Sequence, residues 1–202
     1  HNADFKSIGL SDYGKYENYM ARQIARWSKQ YKDSETALIP EMDNLIEWLP
    51  QNIPLGEETS IVHGDFRLDN MVFDKKTNEV IAILDWELST LGHPIADFTY
   101  HMMTWRMPLG VQGIGILGAN LKELNIPNED EYAEAYYRKT NRNEIQNWDF
   151  FLAYNMFRLA GITQGIAGRV RDGTASSDQA KQYGSFVPIL SKMAWKIVEG
   201  IK

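Results

Sequence analysis

The 202-residue sequence contains no cysteine. Disulfide bridges, thiolate metal sites and thiol catalysis are therefore excluded, and the redox state of the compartment stays open. Basic residues form no long run and the net charge is -6 at pH 7, so nucleic acids and anionic membrane surfaces are poor candidate partners. No apolar stretch approaches the roughly 20 residues that span a bilayer, and the first residues do not resemble a signal peptide. We expect a soluble protein that is cytoplasmic or, in a eukaryote, organellar.

Hydrophobic residues make up 44% of the chain, which is enough for one sizeable core, and we expect one compact unit. Apolar residues at spacings of three and four predict a first helix from about Tyr16 to Tyr31. A second helix is predicted from Ser34, with Glu35 in its first turn, to the residue before Pro50. Further helices are predicted over 94–106, 118–124, 128–140, 147–170 and 177–200. Most tryptophans fall at helical spacing and are predicted to lie in the core: Trp27, Trp48, Trp105, Trp148 and Trp195.

Three short apolar segments interrupt this helical pattern. Residues 60–62 precede the segment 63–70, residues 71–73 follow it, and residues 80–84 are β-branched and apolar enough for a strand buried on both faces. The turn-forming residues between the last two segments predict that they form a hairpin. The sequence therefore predicts an α+β, mainly helical domain in which a small β segment, 60–90, carries most of the conspicuous polar residues.

The segment 63–70 reads HGDFRLDN and has the residue spacing of a phosphoryl-transfer loop. This reaction needs positioning, one carboxylate near the attacking hydroxyl, and metal ions that neutralise the triphosphate. Asp65 can supply the carboxylate, and Asn70, five residues later, a neutral oxygen ligand for Mg²⁺. Asp85 follows the third strand, where a carboxylate without a cation would be costly, and is the natural second metal ligand. The alternative is turn chemistry, since Asp and Asn favour turns.

Protein kinases carry the same geometry in H-R-D-x-x-x-x-N and D-F-G motifs. Here Gly64 replaces the Arg, and Trp86 with Glu87 replaces Phe-Gly. The sequence instead resembles the aminoglycoside and choline phosphotransferase family, whose catalytic loop reads H-G-D-x-x-x-x-N and is followed by I-D-W/F-E/G. The resemblance is strongest from about residue 60 to residue 100, and it includes GHPIAD at 92–97, which is similar to the family's G-D-P-x-x-D.

The segments 63–70, 84–97, 157–161 and 164–166 most resemble the phosphotransferase domain that is fused to some acyl-CoA dehydrogenases, and its free-standing bacterial relatives. This resemblance implies a protein-kinase-like C-terminal lobe over residues 1–202. It implies ATP-dependent and Mg²⁺-dependent phosphorylation of a hydroxyl group on a small molecule, a hydroxyacyl-CoA in that subfamily. The implied partners are this acceptor and the nucleotide, and the oligomeric state is left open.

The resemblance also implies roles for single residues. Asp65 would be the catalytic base or the group that positions the hydroxyl, with Asn70 and Asp85 as Mg²⁺ ligands. Arg67 lies where protein kinases place a Lys that neutralises charge on the transferring phosphoryl group, and it is implied to do likewise. Asp97 is implied to brace the catalytic loop, whereas its place in the first turn of a predicted helix favours helix-start stabilisation.

Other polar residues allow two interpretations. His63 has the titration range of a catalytic base, but we favour a structural role that supports the loop. Asp69 is expected to be solvated or to cap the loop. Glu87 belongs to the metal shell or a substrate pocket, or it forms an outward salt bridge. Polar residues in the apolar helix near the C-terminus either line a substrate pocket or find internal partners: Tyr154, Arg158, Gln164 and Arg169.

A complete kinase fold also has an N-terminal β-lobe with a Gly-rich loop and a strand Lys. Residues 1–59 contain no G-x-G-x-x-G, and Lys6 and Lys15 lie outside any strand pattern. We therefore expect this lobe to have been removed and the isolated chain to bind nucleotide weakly. The competing hypothesis is a non-catalytic helical module that binds an acyl-CoA or a protein. A hydrolase that uses Asp65 and His63 on a metal-bound water is disfavoured, because the four His of the chain supply too few ligands.

Overall fold

The computed structural model describes residues 1–110, 115–143, 146–175 and 180–201. Within these ranges, no helix combines the length and the apolar character needed to cross a membrane. The strands are β1 Ser60–Val62, β2 Met71–Phe73, β3 Val80–Ile83 and β4 Thr90–Gly92. The helices are α1 Tyr19–Ser34, α2 Pro40–Gln51, α3 Pro94–Met102, α4 Glu129–Thr140, α5 Trp148–Arg171, α6 Ala180–Tyr183 and α7 Val187–Gly200, with single 3₁₀ turns at Leu68–Asn70, Trp86–Leu88, Met103–Trp105 and Gly184–Phe186.

The long helix α5 forms the centre of the domain. Sixteen of its 24 residues are buried, and it packs against α1, α3 and α7. A helix that is buried on all sides is stable only inside a core. The close approach of α1 depends on glycine, because a Cβ on Gly168 would lie 2.7 Å from the Cβ of Ser34. The apolar body of the domain is therefore built around α5, with its neighbours brought close by small residues.

The helices with clear end signals agree with the prediction. Helix α4 begins in a capping box: Asn128 Oδ1 accepts the Glu131 N–H, and the Glu131 carboxylate accepts the Asn128 N–H, both at 2.9 Å. Helix α5 matches the predicted 147–170 to within one residue at each end.

The core prediction for the tryptophans is confirmed, because two are buried and three pack against the core: Trp27, Trp105, Trp48, Trp148 and Trp195.

Two helix predictions are wrong. The second helix begins at Pro40 rather than at Ser34, because α1 continues through Ser34 and Glu35 is its C-cap. Pro40 occupies the first turn, where its missing N–H costs nothing. Residues 118–124 form turns instead of a helix, and Asn125 directly after them has a left-handed backbone with φ of 52°. In both places a turn or an end overrides the apolar pattern that predicted a helix.

The predicted helix 177–200 is divided. Its residues 177–179 lie outside the described part of the chain. The 3₁₀ turn 184–186 separates α6 from α7, and Pro188 lies in the first turn of α7. Because proline lacks a backbone N–H, it favours a new helix start at this point over an uninterrupted helix.

Two small antiparallel sheets flank the segment 63–70. Strand β2 pairs with β3, with Met71 opposite Ile83, so the predicted hairpin is present. Strand β1 pairs with β4, with Ser60 opposite Gly92, and β4 was not predicted. The segment 63–70 therefore leaves one sheet and enters the other, which fixes both of its ends.

The prediction that residues 80–84 are buried on both faces is wrong. All four residues of β3 are exposed, and Leu84 is 50% exposed. β-branched apolar residues indicate a strand, but burial depends on what covers the strand. Its partner β2 is itself no more than partly buried. Asp85 is exposed as well, so desolvation gives no argument for a cation there.

Candidate active site

The segment 63–70, here called the catalytic loop, folds back so that its amide and its carboxylate meet. Asn70 Nδ2 donates to the backbone carbonyl of Asp65 at 2.8 Å and to Asp65 Oδ2 at 3.1 Å. The 3₁₀ turn 68–70 brings the two residues together. Because Nδ2 is engaged, the carbonyl Oδ1 of Asn70 is the atom left to accept a ligand. The residues predicted as base and metal ligand are thus in direct contact.

His63 connects the catalytic loop to the residue before Asp85. Its Nε2 lies 2.8 Å from the Leu84 carbonyl, and its Nδ1 accepts the Asp65 N–H at 3.2 Å. Because a carbonyl can only accept, this arrangement favours the tautomer with the proton on Nε2. The Leu84 N–H in turn donates to the Asn70 carbonyl at 2.8 Å. Two hydrogen bonds at Leu84 therefore hold Asp85 beside the loop.

Asp85 has a left-handed backbone, with φ of 66° and ψ of 50°. Asp tolerates this conformation better than most residues do. The following side chain supports the turn, because Trp86 Nε1 donates to the Ile83 carbonyl at 2.9 Å and the Trp86 ring lies 4.7 Å from the His63 ring. The end of β3 and the 3₁₀ turn 86–88 thus orient Asp85.

Asp97 lies under the catalytic loop in the first turn of α3. It is 6% exposed, and its two carboxylate oxygens accept the N–H groups of His63 and Gly64, each at 2.8 Å. Its Oδ2 also lies 3.2 Å from His1 Nε2. Burial raises the pKa of Asp97, and the two backbone hydrogen bonds partly offset this rise. A carboxylate that accepts two loop amides fixes the backbone directly before Asp65.

Helix α3 contributes two aromatic neighbours of the loop that were not predicted from the sequence. Burial raises the pKa of Tyr100 to about 12, and the charge of the nearby Asp65 carboxylate adds to the rise. The His101 ring lies 5.6 Å from the Phe66 ring. Both residues lie three or four positions after Asp97 and thus on the same face of the helix. That spacing was the signal that could have found them.

Arg67 turns toward Asp69 within the loop. Its Nη2 donates to the Asp69 carboxylate, and Asp69 is exposed. Burial acts to lower the pKa of Arg67, but the hydrogen bond and the charges of Asp69 and Asp65 outweigh it and raise the pKa overall. Glu87 is exposed, and no ion pair among the described residues involves it. A phosphoryl contact of Arg67 and a metal or substrate contact of Glu87 stay predictions.

Of the four candidate pocket residues on α5, three are buried in this chain. Tyr154 and Gln164 are each 1% exposed, and Gln164 Nε2 donates to the Ser34 carbonyl at 2.6 Å. Arg158 reaches the catalytic loop by a hydrogen bond. Arg169 is exposed and lines a separate surface groove of about 490 Å³. Contacts of these residues with a substrate stay predictions.

An apolar groove of about 580 Å³ opens beside the catalytic loop. His63 and Asp97 border it from the loop side. Its lining is otherwise mainly aromatic and aliphatic and comes from the first three residues, β1, the catalytic loop, the end of the hairpin with the turn after it, α3 and α4. A groove of this size and lining suits an apolar group better than a polycation. The main lining residues are Phe66, Ile83, Trp86, Phe98, Tyr132 and Tyr136.

The oxygen donors at the loop fit a magnesium ion that arrives with a nucleotide. In the part of the chain that the structure describes, no group of three or more His, Cys, Asp or Glu could hold a metal ion alone. Mg²⁺ keeps several waters and usually binds through one or two carboxylates and substrate phosphates. Asn70 Oδ1, left open by the hydrogen bond from Nδ2 to Asp65, and the exposed Asp85 carboxylate form such a partial set.

These features define a class of protein. A mainly helical domain pairs an Asp with an Asn five residues later and places a second Asp after the following hairpin, which is the loop arrangement of kinase-like phosphotransferases. The model of the phosphotransferase enzyme family matches residues 1–144. The chain belongs to this family, and the resemblance read from the catalytic loop is confirmed.

The relatives are longer than this chain. A crystal structure of a protein assigned as an aminoglycoside phosphotransferase from Ralstonia eutropha JMP134 is 51% identical, with a TM-score of 0.96, and is matched over 100% of this chain and 62% of that one. Acyl-CoA dehydrogenase family member 10 of Mus musculus is 40% identical over 196 residues, 96% of this chain and 18% of that protein. Acyl-CoA dehydrogenase family member 11 of Homo sapiens is 39% identical over 194 residues, 95% of this chain and 25% of that protein. The chain thus spans a quarter or less of these two curated relatives.

Proposed function

We propose that this chain carries the catalytic loop of an ATP-dependent phosphotransferase that phosphorylates a hydroxyl group of a small molecule. One observation carries the proposal: the Asn70 amide is bonded to both the backbone and the carboxylate of Asp65, and Leu84 ties Asp85 to the same loop. Turn chemistry alone would not require these polar residues from two separate segments to converge. Membership in the phosphotransferase family supports the class of reaction.

In the proposed reaction, the hydroxyl oxygen of the acceptor attacks the γ-phosphorus of ATP. A new oxygen–phosphorus bond forms, the bond from the γ-phosphorus to the bridging β–γ oxygen breaks, and ADP leaves. The Asp65 carboxylate orients the hydroxyl and accepts its proton. The hydrogen bond from Asn70 to one carboxylate oxygen limits rotation of the Asp65 side chain and keeps it aimed.

The metal ligands in this proposal are Asn70 Oδ1 and the Asp85 carboxylate. When bound, Mg²⁺ neutralises phosphate charge and aligns the transferring group. Arg67 is proposed to add positive charge near that group, for which its hydrogen bond to Asp69 would have to open. The remaining loop contacts are proposed to be structural and come from His63 and Asp97.

We propose a hydroxyacyl-CoA as the acceptor. The two relatives named as acyl-CoA dehydrogenase family members support this substrate class, since a phosphotransferase segment in such a protein would act on related acyl compounds. Glu87 beside Asp85 and Arg169 on α5 are the exposed candidates for acceptor contacts. No contact with nucleic acid or membrane is part of the proposal, and the proposed compartment is the cytoplasm, or an organelle in a eukaryote.

We also propose that an N-terminal lobe completes the nucleotide site. The longer chain of the Ralstonia structure supports an additional segment, because this chain covers 62% of it. The hairpin supports it too, since soluble proteins rarely leave a large apolar patch uncovered. The exposed apolar side chains of this region include Phe73, Ile81, Ile83, Leu84 and Trp86.

The proposal is tested by titrating Mg·ATP, in a calorimeter, into the 202-residue chain and into a version extended upstream. We expect the extended form to bind nucleotide more tightly and to consume ATP only with a hydroxylated acyl-CoA, not with amino sugars or choline. Asp65→Ala should abolish this consumption. Equal nucleotide binding by both forms would contradict the N-terminal lobe. Acyl-CoA binding without phosphoryl transfer by either form would favour the non-catalytic module instead.

A further inference from the structure

Arg158 is a buried cation that attracts the buried Asp97 carboxylate only from beyond ion-pairing distance. It is 7% exposed, and no carboxylate of the described residues lies within ion-pairing distance of its guanidinium. Its Nε is buried and has no hydrogen-bond partner among the residues that the structure describes. The guanidinium instead makes cation–π contacts with two rings, 4.7 Å from the centre of Tyr100 and 5.5 Å from the centre of Trp27. A charge buried at this cost needs a strong compensating contact.

That contact is made with the catalytic loop. Arg158 Nη2 donates to the Gly64 carbonyl at 2.5 Å, a charge-assisted hydrogen bond. On the other side of the same residue, the Gly64 N–H donates to Asp97 at 2.8 Å. Gly64 is therefore held through both of its backbone polar groups, by one charged side chain from α5 and one from α3. The residue directly after it is Asp65.

Gly64 has little freedom to adapt if one of these contacts is lost. Its φ is +85°, and a Cβ at this position would lie 2.6 Å from the Leu88 carbonyl oxygen. The Arg158 guanidinium also makes its cation–π contact with Tyr100, the ring that lies beside the Asp65 carboxylate. Arg158 thus contacts both the backbone before Asp65 and the aromatic neighbour of its side chain.

We infer that Arg158 is a positioning residue that holds Asp65 in place through the Gly64 carbonyl and the Tyr100 ring. The expected fall in kcat rests on the proposed function, whereas the expected change in amide exchange of the loop does not. Because the side chain acts on the carboxylate rather than on the nucleotide, its loss should lower kcat and leave KM for Mg·ATP nearly unchanged. A misplacement of about 1 Å can cost on the order of 100-fold in rate.

The test compares Arg158→Met, which keeps the aliphatic length without the donor, with Arg158→Lys, which keeps a charge and one donor. Arg26→Met is the matched control, because Arg26 also lies over the Trp27 ring, at 5.0 Å, but is exposed. Amide hydrogen exchange at Gly64 and Asp65 is measured in the 202-residue chain. Steady-state kcat and KM are measured in the full-length gene product with Mg·ATP and a hydroxyacyl-CoA.

We expect faster exchange at Gly64 and Asp65 in Arg158→Met, a drop in kcat of about 10- to 100-fold, partial recovery in Arg158→Lys, and no change in Arg26→Met. Unchanged loop exchange in a folded Arg158→Met would overturn the inference. A fall in both KM and kcat of Arg158→Met, with no recovery of kcat in Arg158→Lys, would also overturn it. If Arg158→Met does not fold, loop exchange and kcat at the wild-type level in Arg158→Lys would overturn the inference. A wild-type protein without phosphoryl transfer would contradict the proposed function alone, since the exchange measurement does not depend on it.

Discussion

The helical body and the β segment 60–90 are held together in different ways. In α5, sixteen of 24 residues are buried and pack against several other helices. In the β segment, every residue of β3 is exposed, and the catalytic loop is fixed by single polar contacts from the body, among them those of Asp97 and Arg158. Apolar packing therefore keeps this domain folded, whereas a few hydrogen bonds decide where its functional groups point.

The largest expected effect separates activity from stability in the loop. Asp65→Asn should lower kcat by about 10²- to 10⁴-fold, because the group that accepts the proton is lost. Its stability should stay within about 0.5 kcal/mol of wild type, since Asp65 is only partly buried. Steady-state kinetics and urea unfolding measure the two quantities, with the exposed Glu79→Gln as control. A loss of several kcal/mol in Asp65→Asn would contradict this difference between the regions, because the loop would then contribute to stability as the core does.

A core substitution should do the reverse. Phe157 in α5 is fully buried, so Phe157→Ala should lower the free energy of unfolding by about 3–5 kcal/mol through lost burial and a cavity. Urea denaturation gives the value. Exposed Ile189→Ala in α7 is the control and should cost far less. If both substitutions cost the same, α5 would not be the centre of the core.

Acid should weaken the junction between the two regions at His93. Burial lowers the pKa of His93 from 6.5 to about 4, so the unfolded chain binds the proton more readily. The contribution of uncharged His93 to the free energy of unfolding is therefore fully present above pH 6.5. It is lost as the pH falls toward 4, by up to about 3 kcal/mol. His93→Asn keeps an acceptor for the Ile95 N–H but cannot titrate.

Unfolding free energies at pH 7 and pH 4.5 for both proteins measure this contribution. The wild type should lose more stability than His93→Asn over this interval. The raised pKa of Asp97 acts in the opposite sense in both proteins, so only the difference between them reports on His93. Equal losses would show that His93 is not held in its uncharged form.

The smallest expected effect lies on β3. Ile81 is 63% exposed, so Ile81→Lys should change the stability of the 202-residue chain by no more than about 0.5 kcal/mol. Val62→Lys in strand β1 of the other sheet is the contrast, because Val62 is 1% exposed and the loss of stability there should be far larger. A strong destabilisation by Ile81→Lys, seen by thermal or urea unfolding, would show that β3 is buried, as the sequence predicted.

Local signals predicted much of the fold. The periodicity around Trp27 and the apolar run of α5 were sufficient to locate their helices, because helical periodicity and backbone hydrogen bonding involve residues close in sequence. The exposure of β3 and the turns at 118–124 were not predictable in the same way. Both depend on which other segments cover an apolar stretch, and composition does not report that.

In the candidate site, too, local features were predictable from the sequence and long-range contacts were not. The spacing from Asp65 to Asn70 is local, and the contact between them agrees with it. The hydrogen bond from Arg158 to Gly64 joins residues 94 positions apart, so the sequence marked Arg158 only as a polar residue in an apolar helix. Such a residue finds its partner through the packing of α5 against the loop, which no local pattern encodes.

The central claim is that this loop delivers a phosphoryl group to a hydroxyl. It is tested most directly by incubating the full-length gene product with γ-labelled ATP, Mg²⁺ and a hydroxyacyl-CoA, and following the label. We expect label in a phosphate ester of the acceptor, formed at least about 100-fold more slowly by Asp65→Asn. Label that appears only as free phosphate, or an ester formed equally fast by Asp65→Asn, would contradict it.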